Sequence, residues 1–354
     1  MSDNDVTLTV GGTSISGWQS VRITRGIERM PSDFDIALAE RYPAVDEVTV
    51  NPGQACTLKI GDDTVITGYV DRTSRAIDPR QHPLTISGRG MCEDLVDCSA
   101  QVATFMFQNM STAAIAGALA KPFGIDVLAL SSGIVHPQVC LNVGETPFSV
   151  IDRLCKLANL LCFENEAGNL VLAPVASGEA GNGFQSGRNV ERSAYVQDIS
   201  QRFSSYRVYP IGTALFTDAG QLPQAEFEIS DPMVTRFRPK AFIAQSGDPG
   251  AAVSNAHAQW ECNRRIGRGN MLVITTDSWR DEGGELYAPN TLVSVDLPEL
   301  KVQPGQDWLV SEVTLRRGMD GTHADLFLMP PQAFAPEPIL YLPIAADVAA
   351  GLSP

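Results

Sequence analysis

Between residues 6 and 90 apolar and polar residues alternate in one short run after another, and turn signals separate the runs. Val6, Leu8 and Val10 share one face and lead into Gly11-Gly12; Val21 and Ile23 follow Gly17-Trp18. Phe34, Ile36 and Leu38 alternate, as do Val48 and Val50, then Cys56, Leu58 and Ile60. The turn Gly61-Asp62-Asp63 leads to Val65 through Val70, and Leu84, Ile86 and Gly88 close the series. A period of two is that of a strand with one buried face, and a short Gly-Asp turn between two such runs predicts a hairpin. Strands about ten residues apart with no long helix between them confine the segment to a small antiparallel barrel or sandwich. The segment holds no recognisable catalytic motif, which points to a β-scaffold that assembles.

The pattern changes after residue 90. Met91 to Cys98 predicts one or two helical turns, and the Ala-rich run Ser111 to Ala120 predicts a helix stopped by Pro122 and Gly124. A stronger helix starts at Thr146, an N-cap residue, with Pro147 in the first turn. Its expected buried face is Phe148, Ile151, Leu154, Cys155, Ala158 and Leu161. Residues 161–164 and 170–172 then form a hairpin around Asn165 to Asn169. Residues 176–189, rich in Gly, Ser and Asn, read as a linker. Beyond it a strand is expected at Phe203 to Tyr209, a loop-rich stretch at 211–247, and a helix at 249–266 carrying Trp260, Arg264 and Arg265. Strands follow at Met271 to Thr275, Leu292 to Leu297, Trp308 to Leu315 and His323 to Met329, before a Pro- and Ala-rich tail expected to drape over another surface.

The fold class expected is therefore mainly β with an α+β insert. It comprises a first β-barrel at 1–90, an α+β domain at 91–175, a linker at 176–189, a second β-barrel at 190–330 and a tail at 331–354. Both β-units contain a segment ending in Arg-Gly, Gly88-Arg89-Gly90 and Arg316-Arg317-Gly318, which hints at duplication.

The totals exclude several classes. A chain of 354 residues with 44% hydrophobic and 19% charged residues is globular, with room for two or three cores. No apolar run reaches the roughly 18 residues needed to cross a bilayer, and the acidic N-terminus lacks the features of a signal peptide, so cytoplasmic synthesis is expected. Seven cysteines, an odd number with no Cys-x-x-Cys pair, predict buried free thiols in place of a disulfide framework or zinc ribbon. A formal charge of −15 argues against a broad phosphate-binding surface.

The search for chemistry returns little. The four histidines, His82, His136, His257 and His323, are scattered, and no metal site is expected. There is no P-loop and no nucleophile elbow, and Gly181-x-Gly183-x-x-x-Gly187 does not match the dinucleotide spacing, so no cofactor is expected. A glycan hydrolase needs two carboxylates; Glu93-Asp94 and Asp281-Glu282 are the natural candidates, and both read as solvated surface. Trp260, Arg264 and Arg265 form the most pointed cluster. It reads either as an interface anchor, since Trp and Arg are enriched at hot spots, or as a local pair packing the helix on its sheet.

Several segments together resemble the baseplate hub proteins of Mu-like contractile-tailed phages, a family related to the late-control tail proteins and more distantly to the N-terminal part of VgrG-type spikes. The likeness runs through Leu8 to Gly12, Gly17 to Arg25, Ile27-Glu28, Ile66 to Asp71, Ser87 to Arg89 and Asp94 to Ser99. It continues in Asn142 to Pro147 with the following helix, in Trp260-Glu261-x-x-Arg264-Arg265 and in Ala288 to Asn290. The resemblance implies a non-enzymatic homotrimeric ring in the tail baseplate, assembled in the host cytoplasm. Two barrels per subunit would give pseudo-six-fold symmetry, joining the tail tube protein to the central spike protein and touching other baseplate proteins. DNA would pass through the channel without specific binding, helped by an acidic wall. A peptidoglycan hydrolase or a type VI secretion spike component is the alternative.

Overall fold

Period-two burial is realised almost residue for residue at the N-terminus. In the computed structural model, which describes residues 4–39, 50–77, 83–178, 180–209, 227–243, 251–302 and 305–335, seven strands precede the first helix. These are β1 (Val6–Val10), β2 (Thr13–Ile15), β3 (Ser20–Gly26), β4 (Asp33–Ala39), β5 (Ala55–Ile60), β6 (Asp63–Arg75) and β7 (Pro83–Gly90). Val6, Leu8, Val10, Val21, Ile23, Phe34, Ile36, Leu58, Ile60, Leu84 and Ile86 are all buried, as the alternation requires. Val48 lies outside the described residues. The β5–β6 hairpin turns at Gly61 and Asp62, with Gly61 at φ 59°. Gly68 is required by close strand approach, since a Cβ there would come within 1.9 Å of the Arg89 carbonyl oxygen.

The middle unit contains α1 (Glu93–Asp97), β8 (Met106–Ser111), α2 (Thr112–Ala120), β9 (Val127–Ala129), β10 (Val135–Cys140), α3 (Pro147–Leu157), β11 (Leu161–Glu164) and β12 (Leu170–Ala173). The Thr146 cap and the Gly124 stop are those read from the sequence, while Ser111, read as the first helical residue, is the N-cap of α2. Ser111 Oγ accepts from Ala114 N, Thr146 Oγ1 accepts from Ser149 N, and Gly124 takes φ 70° beyond α2. The buried face of α3 is shifted from expectation to Pro147, Val150, Ile151, Leu154 and Cys155. Asn159 at φ 62° ends the helical path, so Leu161 is the first residue of β11 and not part of the helix.

Five more strands and a helix follow: β13 (Gly181–Gln185), β14 (Arg192–Gln197), β15 (Ser205–Tyr209), β16 (Phe227–Ser230), β17 (Pro239–Ile243) and α4 (Ala251–Arg268). Then come β18 (Asn270–Thr276), β19 (Thr291–Asp296), β20 (Trp308–Gly318), β21 (Gly321–Met329) and a 3-10 turn, Pro331–Phe334. Two expectations need correction. The segment read as linker contains β13, which pairs in parallel with β19 and buries Phe184. Gly183 is there for closeness: a Cβ on it would lie 2.1 Å from Ser294 Oγ. The stretch read as loop-rich contains β16 and β17, which flank β15 in a three-stranded sheet. Both are too short to display a periodicity.

The ladder order β14-β18-β21-β20-β3-β4-β7-β6-β5-β1-β2, with β13 and β19 branching from β20, runs through both β-units without a break. The join is β3 against β20, antiparallel from Val21↔Arg317 to Gly26↔Glu312. One apolar cluster likewise spans both units, from Leu8 and Phe34 to Trp279, Trp308 and Leu328. The Arg-Gly segments close β7 and β20 respectively. The fold is mainly β, with the α+β unit packed around a separate core of Ile115, Leu119, Ile151, Leu154, Leu170 and Leu172.

Candidate functional site

The C-terminal half of α4 carries the cluster singled out in the sequence, and the structure gives each member a partner within the chain. Trp260 Nε1 donates to the Ala335 carbonyl at 2.6 Å. The Arg264 guanidinium lies 5.7 Å from the Trp260 ring centroid and donates to the carbonyls of Ala333 at 3.2 Å and Ala335 at 3.4 Å. Arg268 donates to the Ala333 carbonyl at 3.0 Å, stacks 4.9 Å over Phe334 and pairs with Glu28. The chain after β21 therefore drapes over its own helix, with Ala333 and Phe334 buried; residues 336–354 of the expected tail lie outside the described residues. Arg265 pairs with Glu261 at 2.8 Å, reaches the Gln201 carbonyl at 3.2 Å and lies 5.4 Å from the Phe203 ring. Trp260 and Arg264 thus form one unit, Arg265 turns to the neighbouring flank beside Phe203, and all three border one hollow. The remaining half-exposed faces line a hollow of about 360 Å³ with Asp198 and Gln201.

The carboxylate candidates behave unequally. Asp281 and Glu282 occupy a polar turn, where Asp281 Oδ1 accepts from Gly283 N and Glu285 N and Glu282 pairs with Arg188 at 2.6 Å. Glu93, expected at the surface, is instead buried. Arg89 from β7 reaches Asp71 on β6 at 2.6 Å, Glu93 at 3.1 Å and Asp97 at 2.8 Å. Burial, and then the Asp71 carboxylate beside it, push the Glu93 carboxyl up to about 8. The correction has a simple cause: α1 turns Glu93 back towards β6 and β7, which local sequence cannot express.

A second buried acid was not singled out by sequence reasoning. Glu164, at the end of β11, accepts from Ser32 N at 2.9 Å and Cys92 N at 2.8 Å. Burial raises its carboxyl while these backbone donors pull it down. It staples the first β-unit to the α+β unit. The one available signal was a charged residue in the otherwise apolar run Leu161-Cys162-Phe163-Glu164. A buried ion pair was also missed: Arg202 grips Asp231 with two hydrogen bonds of 2.8 Å, the side chains being 8% and 0% exposed.

Among the described residues no group of His, Cys, Asp and Glu is arranged to hold a metal ion. His136 Nε2 lies 2.9 Å from Thr112 Oγ1, and His323 Nδ1 lies 2.7 Å from Glu191. Cys56, Cys92, Cys155, Cys162 and Cys262 are buried as expected, whereas Cys140 is exposed on β10. No helix among the described residues is long and apolar enough to cross a membrane.

Comparisons with known proteins bear on the whole chain. A family model described as Mu phage baseplate assembly protein GpP-like, N-terminal, matches residues 5–90. One described as baseplate hub protein gp44-like, second domain, matches 92–174, and one for the fourth domain of the Mu phage baseplate assembly protein GpP matches 250–337. The chain is 31% identical over 341 residues to baseplate hub protein gp44 of Escherichia phage Mu, covering 94% of this chain and 89% of that protein. Its structure is similar to the tail protein of prophage MuSo2 from Shewanella oneidensis, with a TM-score of 0.83 and 30% identity over 94% of this chain and all of that one (100%). A tail protein from Neisseria meningitidis, with a TM-score of 0.74 at 21% identity over 94% of this chain and 98% of the other, shares the fold.

Proposed function

The chain belongs to the baseplate hub proteins of Mu-like phages, and from that premise we propose that three copies assemble into a ring of pseudo-six-fold symmetry joining the tail tube to the central spike. It is a component of the phage tail baseplate. The observation that carries the ring is the β3–β20 ladder, which couples two β-units edge to edge in every chain. Three such chains present six units, the number a symmetry adaptor needs. Coupling through a ladder and a common core makes the two units one rigid body, as a collar requires.

In this reading the β-units curl into barrels, DNA passes through the central channel, and assembly takes place in the host cytoplasm. The part is structural, with no chemistry of its own. The relatives are baseplate hub proteins, and the buried acids serve as staples between units, Glu93 beside the Arg89 guanidinium and Glu164 on backbone donors. The experiment is a mass measurement in solution with low-resolution imaging. A trimer with a central hole is expected; a tight two-fold dimer would sink the proposal. Incubation with purified peptidoglycan should release no sugar, and release abolished by Glu93→Gln would favour the hydrolase reading instead.

A further inference from the structure

One exposed segment runs against the charge of the molecule. The chain carries −15 overall, yet Arg236, Arg238 and Lys240 recur at alternate positions with no acid between them. The nearby acids are already engaged, Asp231 by Arg202 and Glu228 by Arg207 at 3.1 Å. Arg238 and Lys240 lie 5.3 and 5.5 Å from the Phe203 ring, where Arg265, already paired with Glu261, also sits at 5.4 Å. Cations gathered around one ring repel one another, so an incoming carboxylate would be favoured there.

The same segment exposes Met233 (68%) and Phe237 (83%), large apolar groups with no reason to face water in a folded loop. It is also held in shape. Met233 N donates to Asp231 Oδ1 at 3.0 Å, Arg238 N to Ser204 Oγ at 2.8 Å and Ser204 N to the Arg238 carbonyl at 2.8 Å. A loop fixed at both feet gives up little conformational freedom on docking.

A complementary face lies on another part of the same chain. β9 is the outer strand of the β11-β12-β9 sheet. Asp126, Leu128 and Leu130 are spaced by two and share a face; all three are exposed, the leucines by 45% and 75%. Asp126 makes no ion pair among the described residues. On the β8–β10 ribbon the exposed Met106 is followed on its face by the cross-strand pair Gln108 and Gln138 instead. Two different, mutually complementary patches on one chain make a head-to-tail contact, the kind that closes rings.

We infer that the Met233–Lys240 loop of one copy docks on the Asp126, Leu128 and Leu130 face of the next, with Phe237 against the leucines and the cations around Asp126. The inference rests on the ring reading above and assigns a surface to it. The test uses the full-length chain in sedimentation velocity, with Arg236→Glu/Phe237→Ser as a loop variant and Asp126→Lys/Leu130→Ser as a strand variant. Each alone should associate more weakly by roughly 30-fold or more, with unchanged circular dichroism and melting. A one-to-one mixture should recover a heterodimer and go no further, because one intact contact remains. Variants that form the wild-type trimer would overturn the docking and leave the ring standing. A mixture that stays monomeric would overturn it as well, and a wild type without a trimer would sink docking and ring together.

Discussion

At the scale of single residues, side chains buried between units decide more than exposed ones. Gly90 is the clearest case: a Cβ there would fall 1.9 Å from Glu164 Oε2, in the middle of the carboxylate that ties Ser32 and Cys92 to β11. Gly90→Ala should therefore cost about 1–3 kcal/mol, read as a lowered urea midpoint with an unchanged slope. Glu93 carries the pH dependence. Its carboxyl stands at about 8, against an ordinary value of 4.5, so the folded chain holds a proton that the unfolded chain releases. The stability this contributes is complete below the unfolded value and is lost as pH rises through the window up to about 8. Glu164, also raised, acts in the same direction. Glu93→Gln should flatten that loss, so urea midpoints at the two ends of the window should differ less in the variant than in the wild type. A steeper loss in the variant would contradict the assignment. Neither acid was legible as buried: Arg89 lies only four positions from Glu93, but Asp71 beside it and the Ser32 and Cys92 amides around Glu164 are distant in sequence.

At the scale of elements, the signals that worked were short-range. The cap at Thr146 and the stop at Gly124 are local chemistry, and both are found where the sequence puts them. The failures are equally instructive. β13 is hidden in a Gly-rich segment, where Gly183, demanded by close approach to β19, reads as one more linker glycine. β16 and β17 are four and five residues long, too short for a pattern. Helix α4 was expected, but what Trp260 touches was not. With its ring half-buried and its Nε1 on Ala335, Trp260→Ala should lose on the order of 2 kcal/mol, about half the cost for a fully buried aromatic. It should also open the 331–335 turn to limited proteolysis. A variant that melts normally yet no longer assembles would assign Trp260 to a subunit interface instead.

At the scale of the whole molecule, the β3–β20 ladder makes a prediction about dissection. A fragment ending at residue 175 keeps the first β-unit and the α+β unit but strips β3 of its neighbour from Glu312 to Arg317. An exposed edge with intact alternation pairs with other chains. That fragment should self-associate or precipitate, checked by light scattering, while the full-length chain stays discrete. A monodisperse, stable fragment would mean that the two units are energetically independent. The charge of −15 makes a further point at this scale. If the acidic balance lines a channel, duplex DNA should show no retardation by the protein at physiological salt.

The sequence by itself determined the mainly β class, the positions of most strands, the helix caps and the family resemblance. Each of these rests on periodicity, turn chemistry or the order of motifs, which neighbouring residues express. Only the tertiary structure decided that the two β-units share one ladder and one core, that Glu93 and Glu164 are buried between units, and that Trp260 and Arg264 hold the chain after β21. Those outcomes join residues separated by tens to hundreds of positions, as Gly26 meets Glu312. No local pattern records such a pairing, because its free energy exists only once both partners have left water together.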